Sequence, residues 1–168
     1  MATSKGRATP FTGVRMRFDS DKNYEQLVAA LLADIGQTPV PLNDFAPRTQ
    51  TWDEYQRLVE PHVGPSGFML FALFDHGAWL QRAGIDRKVL RVILGNPLIA
   101  ITMLRHDVTA GLFAPVEVLV VEEADDRSSL TYVAPSSLMV FEPNPPLLAA
   151  AQELDNKLEA LATAISVR

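Results

Sequence analysis

The segment Gly67–Phe74, GFMLFALF, constrains the fold more than any other part of the chain. It is a continuous apolar run with Pro65 just upstream and Asp75 just downstream. Its length is that of a strand rather than of a core helix, and its three phenylalanines favour extended backbone. With no polar residue to alternate against, the run predicts a strand buried on both faces, in the middle of a sheet. Lys88–Leu94 (KVLRVIL) reads as a second central strand. A chain of 168 residues suffices to cover such strands. At roughly 100–200 residues per domain it fits one domain, and chains of this size bury about 70% of their unfolded surface.

The residues around these runs carry start and stop signals. Val14–Phe18 alternates apolar and polar, as a half-buried strand does. Asp19, Ser20 and Asp21 then offer cap oxygens for a helix over about 22–35, with Tyr24, Leu27, Val28, Leu31, Leu32 and Ile35 on one face and Gly36 as its stop. Gln37–Gln50 holds three prolines and predicts a long irregular loop, of the kind used as a lid or a binding loop. Thr51-Trp52-Asp53-Glu54 fits a capping box opening a short helix to about Glu60. Asp75 is placed to cap a helix over His76–Ala83, ended by Gly84. Asn96-Pro97 pairs a good cap with proline at the first helical position, for a helix running to about Asp107. Val116–Glu122 and Ser129–Val133 read as a hairpin around Asp125-Asp126. Ser136-Ser137, after Pro135, reads as a turn. Asn144-Pro145 repeats the cap-and-proline pair, and Leu147, Leu148, Ala151, Leu154, Leu158, Leu161 and Ile165 mark one face of a long helix over about 146–166. The order predicts an α+β fold: a mainly antiparallel sheet with helices gathered on one face.

Composition excludes whole classes. There is no cysteine, so disulfide scaffolds, thiolate zinc sites, iron–sulfur clusters and thiol nucleophiles are out. A net charge of −5 argues against a nucleic-acid partner. Lys5, Arg7, Arg15 and Arg17 give residues 1–17 a charge of +4, which leaves −9 for the rest. Residues 1–10 read as a flexible, solvated tail with no signal-peptide pattern. No apolar stretch approaches the ~18 residues of a membrane span, so no membrane partner is expected and the cytoplasm is the expected compartment.

Phe74-Asp75-His76-Gly77, Gly95-Asn96-Pro97 and Gly111-Leu112-Phe113-Ala114-Pro115 before a valine-rich strand occur in this order. In this the chain resembles the DUF302 family of small prokaryotic proteins of unassigned function. The resemblance runs over about 67–139, with residues 37–65 as an insertion and the last helix as an addition, inside a single domain over 11–168. It implies a TBP-like α+β fold with a curved antiparallel sheet, and association as a homodimer. It implies no reaction.

The chemistry-bearing residues support two readings. His76 and His106 each adjoin an aspartate, Asp75 and Asp107. Imidazole and carboxylate suit a divalent metal, so Asp75, His76 and His106 form a candidate ligand set, although no H-x-x-x-H spacing occurs and no cofactor is required. Arg105-His106-Asp107, with His76, is a candidate acid–base or anion-holding cluster. The apolar excess and the proline-rich loop favour the other reading: a protein that binds a small, partly apolar ligand or a partner. Phe74, Trp79, Asn96, Met103 and Phe113 are its candidate contacts.

Overall fold

The structure, a computed structural model, describes residues 6–167; residues 1–5 of the expected tail lie outside them. The elements are β1 (Arg15–Ser20), α1 (Tyr24–Ile35), α2 (Trp52–Val59), β2 (Met69–Asp75), α3 (His76–Leu80), β3 (Val89–Gly95), α4 (Pro97–Leu104), β4 (Val116–Glu122), β5 (Ser128–Val133), α5 (Pro135–Met139) and α6 (Pro145–Ser166). The five strands form one sheet in the order β1-β5-β4-β3-β2, and every pair is antiparallel. The class is α+β, as the sequence predicts.

Strand alternation decides which face is covered. Leu90, Val92 and Leu94 of β3, Val116, Val118 and Val120 of β4, and Leu130 and Tyr132 of β5 point the same way. Onto them pack Leu27, Leu31 and Ile35 of α1, Met103 of α4, and Leu154, Leu158, Leu161 and Ile165 of α6. The residues between them project to the other side: Arg91 and Ile93, Glu117 and Leu119, Thr131 and Val133. There they line an open groove of about 600 Å³ together with Arg15. Only one face of the sheet therefore carries the main core.

The GFMLFALF run departs from its predicted place. It forms β2, an edge strand, and its last part is exposed at Leu73 and Phe74. Its apolar side chains are shared between two clusters instead of lying between two layers. Leu70 enters the main core. Met69 and Phe71 join Phe45, Val59, Val40 and Leu42 in a smaller cluster formed with segment 40–63. Val40 N donates to Leu70 O at 2.8 Å, so this strap does for part of the free edge what a neighbouring strand would do. A register shift between Leu70 and Ala72 leaves Phe71 unpaired, as a bulge.

Three local readings also change. β1 runs on to Ser20 and so consumes part of the expected cap. Asn23 caps α1 instead, in a capping box with Gln26. The 37–50 loop contains two 3-10 turns, Leu42–Asp44 and Ala46–Arg48. The expected turn at Ser136-Ser137 is the first turn of α5, where the Asp155 carboxylate accepts from Ser136 N at 3.0 Å. The other caps form as read: Thr51 with Glu54, Asp75 on Ala78 N, Asn96 on Leu98 N, and Asn144 on Leu147 N.

Candidate functional site

The sheet has two ends, and they separate the histidines. Ser20 pairs with Ser128, Ser128 with Glu122, Val121 with Val89, and Leu90 with Asp75. His76 follows Asp75 and belongs to this end. The C-terminus of α6 lies here too, because Ser20 Oγ donates to Ser166 O at 2.7 Å. α6 has 22 residues, so its start lies ~33 Å away. Asn144, which caps that start, donates from Nδ2 to His106 O at 3.5 Å. His106 is therefore at the far end. The two imidazoles are separated by on the order of the ~20 Å length of a strand, whereas one metal would need both nitrogens at ~2.0–2.1 Å. Asp75, His76 and His106 do not form one ligand set. No group of three or more His, Cys, Asp or Glu among the described residues is placed to hold a metal ion.

Each half of that cluster has a local occupation. Asp75 Oδ1 accepts from Ala78 N at 3.0 Å and opens α3. Trp79 Nε1 donates to His76 Nδ1 at 3.3 Å, and the two rings meet edge-on with centroids 5.6 Å apart. Asp107 accepts from Thr109 Oγ1 at 2.7 Å and Thr109 N at 2.8 Å. These two bonds hold its carboxyl below the usual range and suit it to capping rather than to proton donation near neutrality. Arg105 Nε donates to Ile101 O, closing the last turn of α4. The Arg105-His106-Asp107 triplet thus follows α4, with His76 at the opposite end of the sheet.

The predicted ligand contacts divide three ways. Phe74 and Trp79 are about half exposed at the His76 end, and Arg91 sits over the Phe74 ring at 6.0 Å. Phe113 borders the open groove and meets Phe11 edge-on. Asn96 and Met103 come together at the opposite end of β2, where the structure is concave.

There β3 passes into α4 while β4 begins alongside. Leu94 pairs with Val116, so Gly95 and Pro115 are brought side by side. The result is an apolar cavity of about 180 Å³, partly open to solvent. Gly95, Asn96 and Pro97 form one wall with Ile99, Ala100 and Met103 of α4; Ala114, Pro115 and Val116 form the second. Phe68 and Phe71 of the β2 segment, Leu154 of α6 and Leu42 of the strap complete it. Asn96 is its polar side chain. Its Oδ1 accepts from Leu98 N at 2.8 Å and its Nδ2 donates to Gly67 O at 2.9 Å, which leaves one amide hydrogen and one lone pair unused.

The family model described as Domain of unknown function DUF302 matches residues 46–165. The chain belongs to the DUF302 family. The match is wider than the 67–139 read from the motifs, taking in α2 and nearly all of α6. A crystal structure of an uncharacterized conserved DUF302 protein from Bacillus stearothermophilus has the same fold, with a TM-score of 0.62 and 16% identity over 89% of this chain and 95% of that one. At that identity the likeness concerns the fold alone. No curated protein matches the chain, and no reaction is established for the family.

Within this DUF302 chain, two of the three quoted motifs, Gly95-Asn96-Pro97 and Gly111–Pro115, converge on the cavity, while Phe74–Gly77 lies at the other end. Phe68 and Phe71, read from the sequence as core residues able to line a pocket, do line it, whereas sequence reasoning missed Leu42, Pro115 and Leu154. Pro115 was within reach: antiparallel pairing of two consecutive strands places the residue after the first beside the residue before the second. The other two depend on the strap and the direction of α6.

Proposed function

We propose that this protein binds a small, uncharged, largely apolar molecule in the cavity between β2, β3, α4 and the strap. The observation that carries the reading is the convergence of Gly95-Asn96-Pro97, Ala114-Pro115 and Leu42 around an apolar space of about 180 Å³. A sealed cavity of ~150 Å³ lined by aliphatic and aromatic side chains accepts benzene. The lining here has the same apolar chemistry, with one spare amide hydrogen and one spare lone pair at Asn96 for a single polar substituent. The scattered His76, His106, Arg105 and Asp107 give no comparable support to catalysis.

The test is thermal unfolding with and without benzene, on the wild type and on Ala100→Leu, which fills the space from α4. A ligand that binds only the folded state adds RT ln(1 + [L]/Kd), ~2.7 kcal/mol at a hundredfold excess over Kd. The reading predicts a rising midpoint for the wild type and a much smaller rise for Ala100→Leu. Equal midpoints with and without benzene would remove it.

A second observation favours self-association. The uncovered sheet face sets Ile93, Leu119, Val121 and Val133 among Arg15, Arg17 and Arg91 and the carboxylates of Asp19, Glu117 and Glu123. Nearly balanced charge around an apolar centre suits a second copy of the same face better than a strongly acidic or basic partner. We therefore propose a two-fold homodimer through this face. Light scattering should give twice 18.5 kDa, falling to 18.5 kDa for Leu119→Arg. A mass of 18.5 kDa for the wild type at micromolar concentration would contradict it.

A further inference from the structure

Phe71 occupies an unusual position for a strand residue. Met69 pairs with Gly95 and Leu70 with Leu94, but the next pair is Ala72 with Ile93. Phe71 is the extra residue, and a bulge re-aims the side chain it carries. Gly95 makes room for that ring. A Cβ on Gly95 would lie 3.0 Å from Phe71 Cε2 and 3.2 Å from Pro115 Cβ. The edge of the phenyl ring therefore rests in the slot left by the missing side chain, against the proline of the second motif. From there the half-buried ring lines the cavity beside Leu42 and also touches the strap cluster around Phe45 and Val59.

We infer that Phe71 is the specificity-determining residue of this site: its ring sets the upper size of the molecule the cavity takes. This rests on the reading of the cavity as a binding site. Several of the other lining residues are poorly suited to that role, Phe68, Val116 and Leu154 being buried in the main core. Met103 is part of the main core, Asn96 is held at both ends of its amide, and Pro115 and Gly95 have no side-chain freedom. Phe71 contributes a large, planar, rotatable group, and it contributes it from a residue outside the strand ladder. Shortening it enlarges the cavity by about one aromatic ring without removing a pairing of β2 with β3.

The probes are benzene and naphthalene, titrated against wild type, Phe71→Ala and Phe71→Leu, with affinity read by calorimetry and folding checked by thermal midpoint. Phe71→Leu keeps apolar bulk next to the backbone and serves where the alanine variant unfolds. The wild type should take benzene and discriminate against naphthalene. The variants should bind naphthalene more tightly than the wild type by about tenfold or more, a large effect for a single ring contact. If the wild type binds benzene and both variants keep its benzene-to-naphthalene ratio, the binding reading stands and the role given to Phe71 falls. If the wild type binds neither probe, the binding reading itself falls.

Discussion

Replacing Asn96 tests whether the Gly95-Asn96-Pro97 motif is first a structural joint. The residue is only 9% exposed, and its side chain joins two elements. Its oxygen caps α4 through Leu98 N, and its amide reaches across to Gly67 O at the entry to β2. Asn96→Ala removes the cap, worth about 1 kcal/mol, and leaves a poorly solvated N–H and C=O without partners, at about 1–3 kcal/mol. The expected loss is about 2–4 kcal/mol. Domains of 150–250 residues lose about 2–4 °C per kcal/mol, so the midpoint should fall by roughly 5–15 °C. Asn96→Ser separates the two contributions. Serine is a good cap but too short to reach Gly67, so it should restore about 1 kcal/mol. Urea unfolding with unchanged m-values gives the three stabilities. An alanine variant within about 0.5 kcal/mol of wild type, or a serine variant no better than alanine, would refute the joint.

Two further perturbations follow from the packing. A Cβ on Gly64 would lie 1.9 Å from Asp34 O and 3.0 Å from Phe68 O, both backbone atoms. Gly64→Ala should therefore cost about 3 kcal/mol or more by forcing α1 away from the turn before β2; a midpoint within 1 °C of wild type, against roughly 6–12 °C expected, would refute the contact. Burial beneath α6, with the Glu159 and Asp155 carboxylates nearby, pushes the Tyr132 phenol up to about 12. A raised folded-state value gives stability that is full below the unfolded value near 10 and lost as pH rises through about 12. Absorbance titration should show one of the three tyrosines ionising last, together with loss of the fold, and Tyr132→Phe should abolish that late component.

What the sequence disclosed was set by how local the physics is. The caps at Thr51, Asp75, Asn96 and Asn144 formed as read, because each depends on a few neighbouring residues and a hydrogen bond to a nearby amide. The α1 cap was misplaced by two residues because β1 kept Ser20 for pairing with Ser128. The GFMLFALF run was recognisable as a strand, but periodicity does not distinguish burial between two layers from burial under a strap such as 40–63. The separation of His76 from His106 follows from strand order and the direction of α6, neither of which leaves a local mark. The cavity was half legible. Asn96, Met103 and Phe71 came from motif and apolar pattern, whereas the bulge that re-aims Phe71 and the strap residue Leu42 leave no local mark.

Entry of an apolar molecule into the cavity beside Met103 can be followed at that methionine itself. The most direct measurement is a benzene titration of protein carrying 13C-labelled methionine methyl groups. A saturable shift is expected of the Met103 methyl, which lines the cavity, with those of Met16 and Met139, which do not, left in place. A Met103 signal that stays fixed up to the solubility of benzene, or three methyls that drift together without saturation, would contradict it.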